Sequence, residues 1–570
     1  MRGLTPLRGL TPSLLLVAVG CGESPAPADL ILRGGRIVTL DPAKPEAEAL
    51  AARDGKIVAV GSVAEVDRHR GPATEVIDLD GRLAIPGFIE SHAHFLGLGQ
   101  SLQNLDLRGA KTWDEIVERV AAAAKETPPG EWIVGRGWHQ EKWLAAPEPN
   151  VEGYPTHAAL TRVAPDNPVV LTHASGHAAI VNAKALEVAG ITRDTPNPAG
   201  GTILKDGSGE PTGLLRETAE DLVGVVHARS QSDLPADRID ARRRRAVELA
   251  AKECLAKGVT TFQDAGSDFA TVDLLRRMAE EGRLGLRLWV MLSEDNDALE
   301  RSAAAYRQIG SAGGTFTVRA VKRVLDGALG SHGAWLLEPY SDLPQTSGLN
   351  TYPLDDLERT ARIAAANGLQ LCVHAIGDRA NRETLNVYER VLGQLPDGRE
   401  RRWRIEHAQH LDPADVPRFA RLGVIASMQG VHCTSDGPWV PHRLGAERSR
   451  KGAYVWRSLL DSGAKICNGT DAPVEDVDPI ASFHATVTRR LADGTEFYPE
   501  QRLTRLEALR SYTLDAAYAA FEEERLGSLV AGKLADVVVL SDDILTVPEE
   551  AILQARVQLT VVSGRVAYRR

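Results

Sequence analysis

Cysteine is scarce: there are five in 570 residues, and none stands in a C-x-x-C pair. The missing pair excludes a zinc ribbon and a thioredoxin-like redox motif. Cys254, Cys372, Cys433 and Cys467 are far apart and specify no disulfide. Cys372 and Cys467 lie in apolar runs, as packed core thiols do. An excess of basic residues is also missing. Lys and Arg number 66 against 77 Asp and Glu, a net charge of −11 that argues against a nucleic-acid partner. The one basic run, Arg242 to Arg245, opens the helical pattern RRRRAVELAAKECLAKG and reads as a solvated helix face. No repeat of fixed period occurs, and no glycine cluster has the strand, G-x-G-x-x-G, helix context of a dinucleotide site.

The N-terminus carries Arg2 and Arg8, the short apolar run Leu14 to Val19, and small residues up to Cys21. Such a run cannot cross about 30 Å of hydrocarbon, so it predicts an export signal rather than a membrane span. Ala18-Val19-Gly20-Cys21 resembles a bacterial lipobox, with Ala18 where Leu is commonest. That resemblance implies a lipidated Cys21 and an exported cell-envelope lipoprotein, with membrane contact only through the anchor. Residues 1–21 would be the signal and 22–28 a tether.

A chain of this length can bury a large core and should hold more than one domain. β-rich runs follow the tether (ADLILRGGRIVTLD, ALAARDGKIVAVGS) and return at the far end (ADVVVLSDD, VQLTVVSGRVAYRR). They predict a small β-sandwich from both chain ends, residues 29–84 and 526–570. Between them, eight strand-like runs alternate with helical patterns. The first precedes His92; the others begin near Gly258, Leu284, Thr315, Leu369, Arg402, Gly423 and Ala464. Eight βα units predict a (β/α)₈ TIM barrel over 85–525, an α/β fold. LDPADVPRFARLG predicts a helix with Asp412 as N-cap, Pro413 in its first turn and Gly423 as C-cap. Residues 98–240 exceed one βα loop and predict a lid or substrate-binding insertion after barrel strand 1. Trp138 in that insertion is a candidate substrate contact.

GFIESHAHFLGLG puts His92 and His94 two apart at a strand end, facing one way, as two ligands of one metal ion would. His374 in LQLCVHAIGD, His407 in RWRIEHAQH and Asp471 in AKICNGTDAPV stand near other strand ends, where barrel active sites assemble. In TFTVRAVKRVLDG, Lys322 shares a face with Val318, Ala320 and Val324. A buried lysine loses its proton readily, and a neutral amine can add carbon dioxide to form a carbamate. The competing reading is a lysine reaching the rim or pairing Asp326. Glu406 alternates away from His407 and reads as structural. His177 in ASGHAAIVN and His432 in SMQGVHCTSD could each hydrogen-bond a substrate carbonyl or merely brace a loop.

This set of ligands resembles the amidohydrolase superfamily. GRGWHQEKW, VLTHASGHAAIVNAKAL, VKRVLDGALGSHGAWL, VHAIGDRAN, RIEHAQ and GTDAPVE resemble its branch that includes N-substituted formamide deformylases (the YtcJ-like, amidohydrolase family 3 group). The resemblance runs from about Ala28 to the C-terminus. It implies one or two divalent cations, Zn²⁺ or else Mn, Fe, Ni or Co. His92 and His94 would hold the more buried metal, shared with Asp471, and His374 and His407 the second. Lys322, as its carbamate, would bridge them. Asp471 would take the proton from the attacking water. The implied function is hydrolysis of a carbon–nitrogen bond in a small molecule: an amide, an N-formyl group or a cyclic amide. Another acyl or ester bond and a deamination are the alternatives, with Lys322 weighing against the deaminase. A non-catalytic binding lipoprotein is the remaining class.

Overall fold

Apolar runs four to nine residues long form eight parallel strands, each paired with the next in sequence. They are β1 (Phe88–Ala93), β2 (Val259–Ser267), β3 (Arg287–Leu292), β4 (Phe316–Val324), β5 (Gln370–Ala375), β6 (Arg404–His407), β7 (Ile425–Gln429) and β8 (Lys465–Gly469). The computed structural model describes residues 25–570 except 108, 141–142, 174–177, 199–200, 233 and 331. The expected export signal, Cys21 and His177 therefore lie outside the described residues.

The sheet curls until β8 meets β1. Asp471 N–H donates to the His92 carbonyl at 2.8 Å. The buried Glu90 side chain on β1 accepts from Thr470 N (2.8 Å), Thr470 Oγ1 (2.9 Å) and His92 N (3.1 Å). Burial pushes its pKa up to about 8, against the pull of these hydrogen bonds. Gly469 is required beside it: a Cβ there would lie 2.3 Å from Glu90 Oε1 and 2.7 Å from His92 N. At the other end of the barrel, the helix Leu514–Ala519 packs Ala516, Ala517 and Ala519 against Ile89, Ile425 and Cys467. Small side chains let the helix come close enough to stop that end.

Between the strands run amphipathic helices such as Phe269–Glu280, capped by Asp268, and Leu354–Ala366. The helix expected after Asp412 starts later, at Val416–Leu422 with Asp415 as N-cap, and Gly423 closes it at φ 70°. Asp412 instead accepts from Ala414 N at 2.8 Å, a local turn that delays the helix.

Both chain ends build one β-domain, as a single eight-stranded sheet that forks at Leu30–Val38. The first half of that strand pairs with Glu75–Asp78 and its second half with Leu83–Pro86. Leu30, Leu32 and Ile37 pack on one face, and Ile31, Ala49 and Ala51 on the other. The insertion after β1 has its own six-stranded sheet, in the order Gly201–Lys205, Pro211–Glu217, Ala178–Val181, Val169–His173, Ile133–Trp138, Leu105–Asp106. It also has its own apolar clusters, centred on Ile116, Trp138 and Leu171 and on Val181 and Leu215. Cys254, Cys372, Cys433 and Cys467 are all buried free thiols.

Candidate metal centre

The ends of β1, β6 and β8 bring ligand atoms of His92, His407 and Asp471 within 4.8 Å of one another, all buried. His407 and Asp471 adopt left-handed backbone, φ 73° and 60°. These positions end strand alternation and turn the side chains over the barrel mouth. His92 Nε2 lies 3.5 Å, and His94 Nε2 3.3 Å, from Asp471 Oδ1. His94 is the N-cap residue of the helix Phe95–Ser101, and its side chain is 41% exposed. The His374 ring centroid, at the end of β5, sits 4.4 Å from that of His407. Lys322 Nζ rises from β4 to 3.4 Å from His92 Nε2. Lys322, His374 and His94 thus stand beside the cluster of His92, His407 and Asp471.

Hydrogen bonds on the far sides of two rings, His92 and His407, leave one nitrogen of each facing inward. His92 Nδ1 contacts Glu406 Oε2, and His407 Nδ1 lies 2.7 Å from Gln429 Oε1. Burial and the nearby Lys322 push the His92 pKa down to about 4, and burial, Lys322 and His92 push His374 to about 3. Burial also holds His407 well below its usual value. These rings are neutral at pH 7 and offer lone pairs. Burial opposes the charge on Asp471, but His94, 3.3 Å away, and the surrounding imidazoles hold its carboxyl below the usual range. Burial draws the Lys322 pKa down, against the pull of Glu406 and Asp471. His374 Nε2 and Asp471 Oδ1 are buried without hydrogen-bond partners. Orphaned polar atoms inside a protein are costly. Imidazole nitrogens and a carboxylate left in this state fit a divalent cation.

His432, in the helix Gly430–Asp436 directly after β7, is buried with its Nε2 4.0 Å from Asp471 Oδ2 and its ring parallel to His407 at 6.2 Å. Its Nδ1 lies 3.2 Å from Gln409 Nε2, and its Nε2 is on the side of Asp471.

Three expectations need correction. Trp138 is no substrate contact: it is fully buried in the insertion's core, and its Nε1 donates to Leu171 O at 2.7 Å. Asp326 does not pair Lys322; its carboxylate accepts from Trp335 N (2.9 Å), Ile376 N (3.0 Å) and Gly377 N (2.8 Å), and lies 3.5 Å from His374 Nε2. Glu406 does not face outward but contacts His92 inside the barrel, because the left-handed turn at His407 breaks the alternation assumed for that pair. Asp264 on β2 was missed altogether. It accepts from Phe95 N at 2.8 Å and from Ser267 Oγ at 2.6 Å, and so fixes the backbone just after His94. An acidic residue inside an otherwise apolar strand, as in TTFQDAG, was the available signal.

The Amidohydrolase family model matches residues 75–568. The putative amidohydrolase YtcJ of Bacillus subtilis is 32% identical over 94% of this chain and 99% of its own length. The N-substituted formamide deformylase of Arthrobacter pascens is 29% identical over 95% of this chain and 98% of its own. In structure, an uncharacterized metal-dependent hydrolase from Pyrococcus furiosus superposes with a TM-score of 0.71 at 29% identity, covering 91% of this chain and all of that one. Sequence match, barrel and ligand cluster agree, and this chain belongs to the amidohydrolase family as a metal-dependent hydrolase on a (β/α)₈ barrel.

Proposed function

We propose that this enzyme hydrolyses the carbon–nitrogen bond of a small amide, N-formyl or cyclic amide. The observation that carries this reading is the buried convergence of His92, His407 and Asp471. His94, His374 and Lys322 would complete the ligand set, Lys322 as a carbamate. A divalent cation held by these residues would supply Lewis acidity toward a substrate carbonyl and toward water. Asp471 takes the proton from the attacking water as its oxygen bonds to the carbonyl carbon. The same proton then passes to the leaving nitrogen as the carbon–nitrogen bond breaks. His432 Nε2–H donates to the carbonyl oxygen as negative charge builds on it. His177 is a second candidate donor to that oxygen, from the insertion.

Zn²⁺ is the first metal to test, followed by Mn²⁺, Fe²⁺, Co²⁺ and Ni²⁺, because imidazole and carboxylate ligands suit them all. The name of the deformylase relative makes N-formyl amines the first substrates to try. The test is a metal-defined screen of N-formyl amines, acylated amino acids and cyclic ureides, read by amine or ammonia release. Metal-dependent release from at least one class is expected; release only from esters overturns the assignment. We also propose export with a lipid on Cys21. Clickable fatty acid should label the wild type and not Cys21→Ser, and equal absence of label in both rejects the anchor.

A further inference from the structure

Directly beneath His92, the barrel encloses a charged pair that has no contact with solvent. Arg404 and Glu406 side chains are both 0% exposed. Arg404 Nη2 donates to Glu406 Oε2 at 3.1 Å, and its Nε lies 2.8 Å from Oε1. Three neighbouring strands supply further acceptors: Gln263 Oε1 on β2 for Nη1 (2.5 Å), and Ser91 O on β1 (2.6 Å) and Ser427 Oγ on β7 (2.8 Å) for Nη2. Stability alone does not explain such a pair, since apolar replacements of buried ion pairs are often neutral or stabilising. Its position does. Glu406 Oε2 contacts His92 Nδ1, while His92 Nε2 points the other way, toward Asp471 Oδ1 and Lys322 Nζ. Arg404 reaches the same residue by a second route, since Ser91 O is the carbonyl preceding His92.

We propose that Glu406, oriented by Arg404, is a positioning residue that locks His92 in the Nδ1–H tautomer and presents its Nε2 lone pair to a metal. This deepens the proposed function and rests on its metal-binding reading. Carboxylates bonded to the outer nitrogen of a ligating histidine fix the ring and raise its basicity, and losing one typically costs about 10- to 100-fold in metal affinity. Arg404 lies 3.1 Å from Glu406 Oε2 and 2.8 Å from Oε1, and so fixes which way the carboxylate faces.

The experiment measures Zn²⁺ affinity by chelator competition, together with the visible spectrum of Co²⁺-loaded protein, for wild type, Glu406→Gln and Arg404→Met/Glu406→Gln. The double variant removes both charges at once and serves if the single one does not fold. Folding of each metal-free protein is checked by near-ultraviolet circular dichroism. Expected are a Zn²⁺ affinity lowered about 10- to 100-fold in a folded variant and a shifted Co²⁺ band. Independently of any variant, ¹⁵N-histidine spectra of the metal-free wild type, with His92 assigned by its loss in His92→Gln, should show Nδ1 protonated and Nε2 bare. Wild-type affinity in either folded variant, or a proton on His92 Nε2, overturns the positioning role while leaving the metal site intact. A wild type that binds no divalent cation overturns this role and the proposed function together.

Discussion

Trp138 and His407 both end parallel strands, one in the inserted sheet and one in the barrel, and their polar atoms are treated oppositely. Trp138 gives its only donor to Leu171 O, stacks on Trp143 at 5.8 Å and meets His173 edge-on at 4.7 Å. His407 ties down one nitrogen on Gln429 and turns the other toward His92, Asp471 and His374. Asn182 repeats the insertion's pattern. Its Oδ1 accepts from Val169 N and Ala185 N, and its Nδ2 donates to Ala164 O and Asn167 O. Asp471 repeats the barrel's pattern, buried with Oδ1 unpartnered. Residue type and strand position do not separate structural from chemical roles here. Among these four residues, the difference is whether the side chain's polar atoms are tied to backbone groups, as in Trp138 and Asn182, or gathered around the ligand cluster, as in His407 and Asp471.

The largest expected contrast comes from Asp471→Asn. Size and one oxygen are kept, but a proton acceptor is lost, so kcat should fall about 10²- to 10⁴-fold with little change in KM. Steady-state kinetics at equal metal loading checks this, and unchanged kcat would make Asp471 a ligand only. In the insertion, Trp138→Ala should cost about 3–5 kcal/mol of local stability by leaving a cavity in its core. Denaturant titration and limited proteolysis should show the insertion opening first, while the bound metal remains. Asn182→Ala should cost less, about 1–3 kcal/mol, for the buried backbone groups it leaves unpaired. The same titration measures it, and metal content should not change.

The smallest effect belongs to a carboxylate outside both regions. Glu507, in the capping box of the helix Arg505–Ser511, is held down to about 2 chiefly by its hydrogen bonds with Arg457. A carboxyl depressed in the folded state contributes stability that is present above its unfolded pKa of about 4.3. That contribution is lost as pH falls toward 2. Because the pair is partly exposed, it is worth under about 1 kcal/mol. Melting temperature followed from about pH 5 to pH 2 should decline slightly more steeply in wild type than in Glu507→Gln.

Much of the barrel was legible in the chain because buried parallel strands are near-continuous apolar runs, and all eight lie where such runs stand. The ligand residues were legible because His, Lys and Asp are conspicuous inside those runs. Two roles were hidden for a definite reason. Period-two alternation assigned Glu406 to the outside, but that rule holds only while the backbone stays extended, and His407 is left-handed. Trp138 looked like a binding aromatic because the Leu171 carbonyl that satisfies it is 33 residues away and leaves no local mark. The forked end sheet was likewise invisible, since its branching depends on which half of Leu30–Val38 pairs with which later strand.

Metal analysis tests the barrel centre most directly. Purified wild type, stripped with chelator and reloaded with Zn²⁺, should retain the ion after desalting and regain amide hydrolysis in proportion to occupancy. His92→Ala and His407→Ala should lose both the ion and the rate, while Trp138→Phe should lose neither. Full hydrolysis by the stripped protein, or undiminished ion retention in both histidine variants, would contradict a metal centre built from these strand ends.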